Sequence, residues 1–221
     1  MATLAQQQQP VEITSEPSHH LVFENEYVRV FDVTVEPKGS TLVHHHSHDY
    51  LFVTLGDSDV VSARPGEKPV ELMLKDGETR FTPGNFSHAA TNKSEEPFHN
   101  ITIELLKPTS NVKTCTESCE VPVKCNNDVG CAKIVRQITS DQWTVSSVTL
   151  PPSARLDGKL PASPYLLVEV SKIDFRGSMA GSREILKGTP GALTWMPSRV
   201  TPVLANHYRT PVKFVALEFH P

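Results

Sequence analysis

The stretch Gly39-Ser40-Thr41-Leu42-Val43-His44-His45-His46-Ser47-His48-Asp49-Tyr50, continued by Leu51–Leu55 and Gly56, decides the reading of this chain. Thr41 and Val43 are β-branched and lead straight into His44-x-His46. On a strand, side chains two residues apart share a face, so His44 and His46 point the same way. Two imidazoles one strand step apart, completed by a third from elsewhere, hold a divalent metal and leave coordination positions open. His88 is the candidate third ligand, because it follows the turn Pro83-Gly84-Asn85, where a neighbouring strand can begin. A His-rich donor set suits Fe, Mn, Ni, Cu or Zn rather than Mg or Ca. Taken alone, His44–His48 has a competing reading as a solvated histidine tract.

Working outward, short β-branched and aromatic runs alternate with turn clusters. The runs are Tyr27–Val35, Leu51–Leu55, Asp59–Ala63, Val70–Leu74 and Asn100–Leu106, and the turns include Glu36-Pro37-Lys38-Gly39, Arg64-Pro65-Gly66-Glu67 and Lys75-Asp76-Gly77. Closely spaced strands with Gly and Pro punctuation predict an all-β sandwich or barrel. The 18 Pro and 11 Gly agree with a turn-rich architecture. With 221 residues, the chain has room for one large β domain or two smaller ones. A net charge of −4 argues against a basic nucleic-acid surface. No apolar run reaches the roughly 18 residues of a membrane helix.

The chain also repeats itself. Laid over its own second half, Val33-Thr34-Val35 falls on Val148-Thr149-Leu150, Pro37 on Pro152, and Tyr50-Leu51-Phe52-Val53 on Tyr165-Leu166-Leu167-Val168. With one deletion, Gly77-x5-Pro83 falls on Gly191-x5-Pro197, and Asn92 on Asn206. Two homologous β units are the simplest account.

These residues carry a resemblance. Gly39, His44-x-His46, Tyr50 and Gly56 resemble the first cupin motif, and Gly77-x5-Pro83-x-Asn85-x2-His88-x3-Asn92 is similar to the second. The resemblance departs at Asn85, where Gly is usual, and at Tyr50, which stands at the position of a Glu ligand. With the repeat, the whole chain resembles a bicupin, two tandem jelly-roll β-barrels. The expected organisation is a flexible tail over 1–20, a metal-binding cupin domain over 21–108, a Cys-rich linker over 109–135 and a degenerate cupin domain over 136–221. The second unit has Lys159, Pro161 and Pro202 where the first has His44, His46 and His88.

The resemblance implies a divalent transition metal inside the first barrel, at His44, His46 and His88. A Tyr shared by both halves, Tyr50 and Tyr165, reads as packing rather than ligation; a three-His site with water positions is favoured, and a fourth ligand from the turn, His48 or Asp49, is the alternative. Three-His cupins include gentisate, cysteine and β-diketone dioxygenases, and gentisate dioxygenases are bicupins. The expectation is therefore a metal-dependent enzyme acting on a small organic molecule, by dioxygenation or by lyase or isomerase chemistry. His48 and Tyr50 are the nearest candidates for proton transfer. The rival class is a non-catalytic module that binds or senses a small molecule. Phe52, Phe81 and Phe86 line a cavity in one reading and fill barrel core in the other. A homodimer is a family-level expectation.

Cys115, Cys119, Cys125 and Cys131 lie close together without a C-x2-C pair. Disulfides are the reading if the chain is exported, free thiols otherwise, and a zinc knuckle fits the spacing poorly. Thr3 and Ala5 are small residues placed as at a secretory cleavage site before Gln6, although the preceding charged and apolar regions are missing. A periplasmic or secreted protein is expected on that basis, and a cytoplasmic one otherwise. Asn85, Asn92 and Asn100 each begin a glycosylation triplet, a pattern that often arises by chance.

Overall fold

The run Val28–Val35 alternates β-branched and aromatic side chains with Arg29, Asp32 and Thr34, and it becomes a strand whose apolar residues are buried. In the computed structural model, residues 9–123, 131–157, 163–179, 182–198 and 203–220 are described. The chain divides into two units, Met1–Leu106 and Lys107–Pro221. The described residues are almost entirely β, with one 3-10 turn at Ile13–Ser15.

The strands of the first unit are β1 (Val11–Glu12), β2 (His19–Glu24), β3 (Val28–Val35), β4 (His44–His46), β5 (Tyr50–Leu55), β6 (Ser58–Ala63), β7 (Val70–Leu74), β8 (Thr79–Thr82), β9 (Phe86–Asn92) and β10 (Phe98–Leu105). They form two five-stranded sheets, in the orders β1-β4-β9-β6-β7 and β2-β3-β10-β5-β8. Ile13, Phe31, Val33, Val35, Val60, Leu74 and Phe98 interdigitate between the sheets. The expected strands are all present, with ends shifted by one or two residues. Residues 9–20 differ from the expected flexible tail: β1 pairs in parallel with β4, Val11 opposite His44, and Ile13, Glu16 and His19 are buried. Nothing in the hydrophobic periodicity marks this segment, because a two-residue strand and a single turn are too short to show a period.

In the second unit, strands Lys133–Thr139, Trp143–Leu150, Val212–Phe219, Tyr165–Glu169 and Leu193–Met196 lie side by side in that order. Two short ribbons pair Arg155–Asp157 with Val203–Ala205 and Ile173–Met179 with Ser182–Gly188. Leu150, Leu156, Tyr165, Leu167, Leu204 and Phe214 belong to its core. The stretch expected as a plain linker is partly strand: Lys113–Thr114 and Glu120–Val121 both pair with Lys133–Thr139. Cys115 and Cys119 are joined, Cys131 is disulfide-bonded too, and Cys125 lies outside the described residues.

The repeat is visible as chemistry. Asn92 donates from its amide nitrogen to the carbonyls of Val35 (3.1 Å), Glu36 (3.3 Å) and Glu96 (2.8 Å). Asn206 does the same to Leu150 (2.9 Å), Pro151 (3.0 Å) and Thr210 (2.8 Å). Each amide closes a turn onto the end of the neighbouring strand, and each is buried. Asn92 and Asn100 are buried, so neither is an accessible glycosylation acceptor.

Candidate metal centre

Strand alternation turns His44 and His46 into the barrel and His45 outward, where its Nδ1 meets the Ser87 hydroxyl at 3.2 Å. Antiparallel pairing of β4 with β9 sets His88 directly opposite His44. The three rings therefore converge. Nε2 of His46 lies 3.1 Å from Nε2 of His44 and 3.2 Å from Nε2 of His88. Among the described residues they form a group whose candidate ligand atoms all lie within 4.8 Å of one another. His44 and His46 are each 1% exposed and His88 is 8% exposed.

The turn before His88 explains one departure from the motif. Asn85 has φ 59°, in the left-handed region that Gly fills most easily and Asn tolerates better than most residues. The Gly84 backbone also runs against His48 and Asp49 so closely that an added Cβ would lie 2.4 Å from the His48 carbonyl carbon. Asp49 accepts a hydrogen bond from the Gly84 N–H at 2.8 Å. This locks the Pro83–Asn85 turn, and with it the start of β9.

The imidazoles are prepared as donors. His44 Nδ1 donates to the Leu42 carbonyl at 2.9 Å, which leaves the Nε2 lone pair free. His88 Nδ1 lies 2.9 Å from the Ser62 hydroxyl. His46 Nδ1 is buried without a hydrogen-bond partner among the described residues. Burial is the first cause that keeps all three neutral, with nearby imidazoles adding to it. His44 is pushed down to about 4 and His88 to about 3, and His46 is lowered as well. Three neutral nitrogens converging in a buried pocket fit a divalent transition ion, since a metal-bound imidazole must be unprotonated.

A fourth histidine, His19, escaped the sequence reading. Its ring lies 4.6 Å from that of His44, and its Nδ1 is held by Glu16 at 2.6 Å. Glu16 is 3% exposed, yet it also accepts from the N–H groups of Ser18 (2.8 Å) and Leu42 (3.1 Å). Burial alone raises its pKa, but these hydrogen bonds outweigh burial and hold the carboxyl below its ordinary value. The only sequence signal was His19-His20 at the start of what becomes β2, and its approach to His44 runs between two sheets that the sequence does not join.

Tyr50 stacks on His46, with centroids 4.1 Å apart and planes 16° apart. Burial pushes its phenol up to about 12, and its hydroxyl is hydrogen-bonded to Thr82. His48 sits on the turn, with Nδ1 3.1 Å from the Ser47 hydroxyl and 4.0 Å from a Glu104 carboxylate oxygen. Neither His48 nor Asp49 lines the cavity, so the structure does not bring them to the triad as a fourth ligand. The cavity itself measures about 450 Å³ and is walled by Phe52, Phe81 and Phe86, with His19, Tyr50 and the triad. Positions Lys159, Pro161 and Pro202 of the second unit lie outside the described residues.

No family model matches the chain, and no curated protein sequence matches it. Solved structures do. AerE from Microcystis aeruginosa superposes with a TM-score of 0.64 at 10% identity, over 93% of this chain and 99% of that one. A salicylate 1,2-dioxygenase from Pseudaminobacter salicylatoxidans gives a TM-score of 0.61 at 13% identity, over 90% and 75%. A cupin 2 conserved barrel domain protein from Leptotrichia buccalis gives 0.55 at 8% identity, over 91% and 88%. At such identities the likeness is one of fold: the chain, with two β units in one polypeptide, has the fold of these proteins, a cupin barrel protein among them.

Proposed function

We propose that the chain is a divalent-metal-dependent cupin enzyme that acts on a small organic molecule in the first barrel. The observation that carries this reading is the convergence of three neutral Nε2 atoms on the wall of a cavity of about 450 Å³. His44, His46 and His88 hold the ion, and Fe, Mn, Ni, Cu and Zn all suit the donor set. Such an ion, with open positions, supplies Lewis acidity and, if it is Fe, a site for O2 chemistry. Glu16 and His19 brace the back of His44, Tyr50 stacks on His46, and Ser62 orients His88. The aromatic wall excludes water and packs the substrate. Dioxygenation is the first reaction to test and lyase or isomerase chemistry the second, with the dioxygenase and an oxalate decarboxylase among the fold neighbours.

The second unit, read as lacking the ligands, serves as a structural partner. The disulfides favour maturation in an oxidising compartment, which supports the reading of a periplasmic or secreted protein. No helix among the described residues is long and apolar enough to cross a membrane. We read the small molecule, with a second copy of the chain as a homodimer partner, as the binding partners.

The test is metal content by mass spectrometry on wild type and His88→Ala, both purified without a His tag, followed by an O2-uptake screen. Near one transition ion per chain, lost in the variant, is expected. No metal in either protein after reconstitution would sink the metalloenzyme reading and leave a small-molecule binding module.

A further inference from the structure

The sheet β1-β4-β9-β6-β7 ends on β7. Folded proteins protect such edges by shortness, by bulges or by charge. β1, at the other end of the same sheet, is two residues long, and β2, an edge of the second sheet, carries a bulge between Leu21 and Phe23. β8, the remaining edge of the first unit, is Thr79-Arg80-Phe81-Thr82, polar at all positions but one. β7 has none of these devices. It reads Val70-Glu71-Leu72-Met73-Leu74, and Val70 is 56% and Met73 69% exposed. Its single charge, Glu71, is answered within the chain by Lys93 at 3.4 Å.

The main chain of β7 is open on its outer side. Asp59, opposite Met73 on β6, donates its N–H to the Ser94 hydroxyl (2.8 Å) and accepts the Lys93 N–H on its carbonyl (2.8 Å). Both bonds lead toward the end of β9, away from β7. In an antiparallel ladder the groups of residues paired without hydrogen bonds turn away from each other, so the N–H and C=O of Met73, and of Glu71 two residues on, face outward. Among the described residues these four groups have no partner.

We propose that β7 is a self-pairing edge: β7 of a second copy adds to it antiparallel, with Leu72 on the two-fold axis. The proposal deepens the homodimer reading and rests on it. In this register Glu71 of each copy faces Met73 of the other, and their open groups close four N–H···O=C bonds that join two five-stranded sheets into one. Val70 then meets Leu74 and Leu72 meets its own copy, apolar against apolar, while Lys68 of each copy stands opposite Asp76 of the other. Centring the pair on Met73 instead would need the main chain of Lys75. Those groups are taken by Glu78, the N–H by its carboxylate and the carbonyl by its N–H, both at 2.9 Å. Val70, Leu72 and Leu74 also line the cavity of the first barrel, and Val70 is its exposed rim. Val70 of the second copy, set beside Leu74, therefore extends the cavity wall, and the partner covers part of the mouth.

The test is sedimentation velocity of the full chain, with a dimer expected at a concentration on the order of 100 μM. Met73→Pro removes an outward N–H and leaves the ladder to β6 intact, as an edge position allows. It is expected to weaken the dimer about tenfold or more at an unchanged melting temperature. On mild oxidation Leu72→Cys is expected to form a disulfide with its copy, and Met73→Cys, facing Glu71 rather than itself, is not. A monomeric wild type overturns this proposal and the homodimer reading together. A dimer that Met73→Pro leaves intact, the absence of a Leu72→Cys cross-link, or a cross-link at Met73→Cys instead overturns this proposal alone. Should Met73→Pro melt early, the two cysteine variants decide. None of these outcomes turns on bound metal, so the enzyme reading stands or falls apart from them.

Discussion

Glu16 and His19, three residues apart, meet at 2.6 Å beneath the ring of His44, so the segment before β2 is part of the site's foundation. Glu16 accepts hydrogen bonds from two backbone N–H groups besides His19. Glu16→Ala leaves those donors buried and unpaired and is expected to destabilise the first unit by roughly 2–3 kcal/mol, read by urea unfolding. The folded pKa of Glu16 lies below its ordinary value. Its contribution is therefore full above the ordinary carboxylate range and lost as pH falls through the folded value. Glu16→Gln is expected to flatten that part of the acid limb of the stability curve, and an unchanged limb would count against the pairing.

The triad has its own acid signature. With His44 at about 4 and His88 at about 3, the folded protein binds fewer protons than the unfolded chain once pH drops below the ordinary imidazole value of 6.5. Metal-free protein is expected to lose stability as pH falls from that value toward the folded pKa values. The slope for each histidine is up to about 1.4 kcal/mol per pH unit. Replacing His44 and His88 with Phe removes their share of this slope and leaves that of His46, which is lowered as well. Melting curves of the stripped wild type and the double variant across that range measure it.

Tyr50 separates packing from chemistry. Tyr50→Phe keeps the stack on His46 and removes only the hydroxyl bonded to Thr82, so a loss of about 1 kcal/mol with unchanged metal content is expected. Tyr50→Ala removes the ring and is expected to cost about 3–5 kcal/mol. A Phe variant that folds and loads metal but loses turnover would assign the hydroxyl a direct part in the reaction.

Gly84→Ala tests the turn before β9. The new Cβ would fall 2.4 Å from the His48 carbonyl carbon, a backbone atom with no room to yield. A destabilisation of roughly 1–3 kcal/mol is expected, with weaker metal retention because His88 starts from this turn. Dialysis against a chelator compares retention in the two proteins.

How much of this was legible in the residues depended on the length of the signal. The barrel strands showed themselves through β-branched and aromatic runs of five or more residues between Gly and Pro turns, and the triad through a His-x-His pair plus a third His just beyond a turn. The Asn92 and Asn206 correspondence was legible as a repeat, and its meaning as a backbone clamp needed coordinates. β1 and the Ile13–Ser15 turn were hidden, because two or three residues carry no periodicity and their burial depends on pairing with β4 across the sequence. His19 was hidden with them. Asn85 and Tyr50 looked like departures from a pattern. One turns out to satisfy a backbone requirement, the other to stack on His46. β7 is a third case: a short apolar run is ordinary in sequence, and only its place at the edge of a sheet distinguishes it.

Asn92→Ala and Asn206→Ala are each expected to lose about 2–3 kcal/mol, since each leaves buried carbonyls unanswered. Hydrogen exchange should place each loss in its own half of the chain.

Those twin asparagines, with Tyr50 and Tyr165 at matching places, give the polypeptide an internal reference. One half carries a convergence of three buried imidazoles, and the other repeats the asparagine clamp. The difference in resilience between the halves, measured with metal removed, is then the energetic burden of keeping a site poised. Restoring the ion should shrink that difference from one side only.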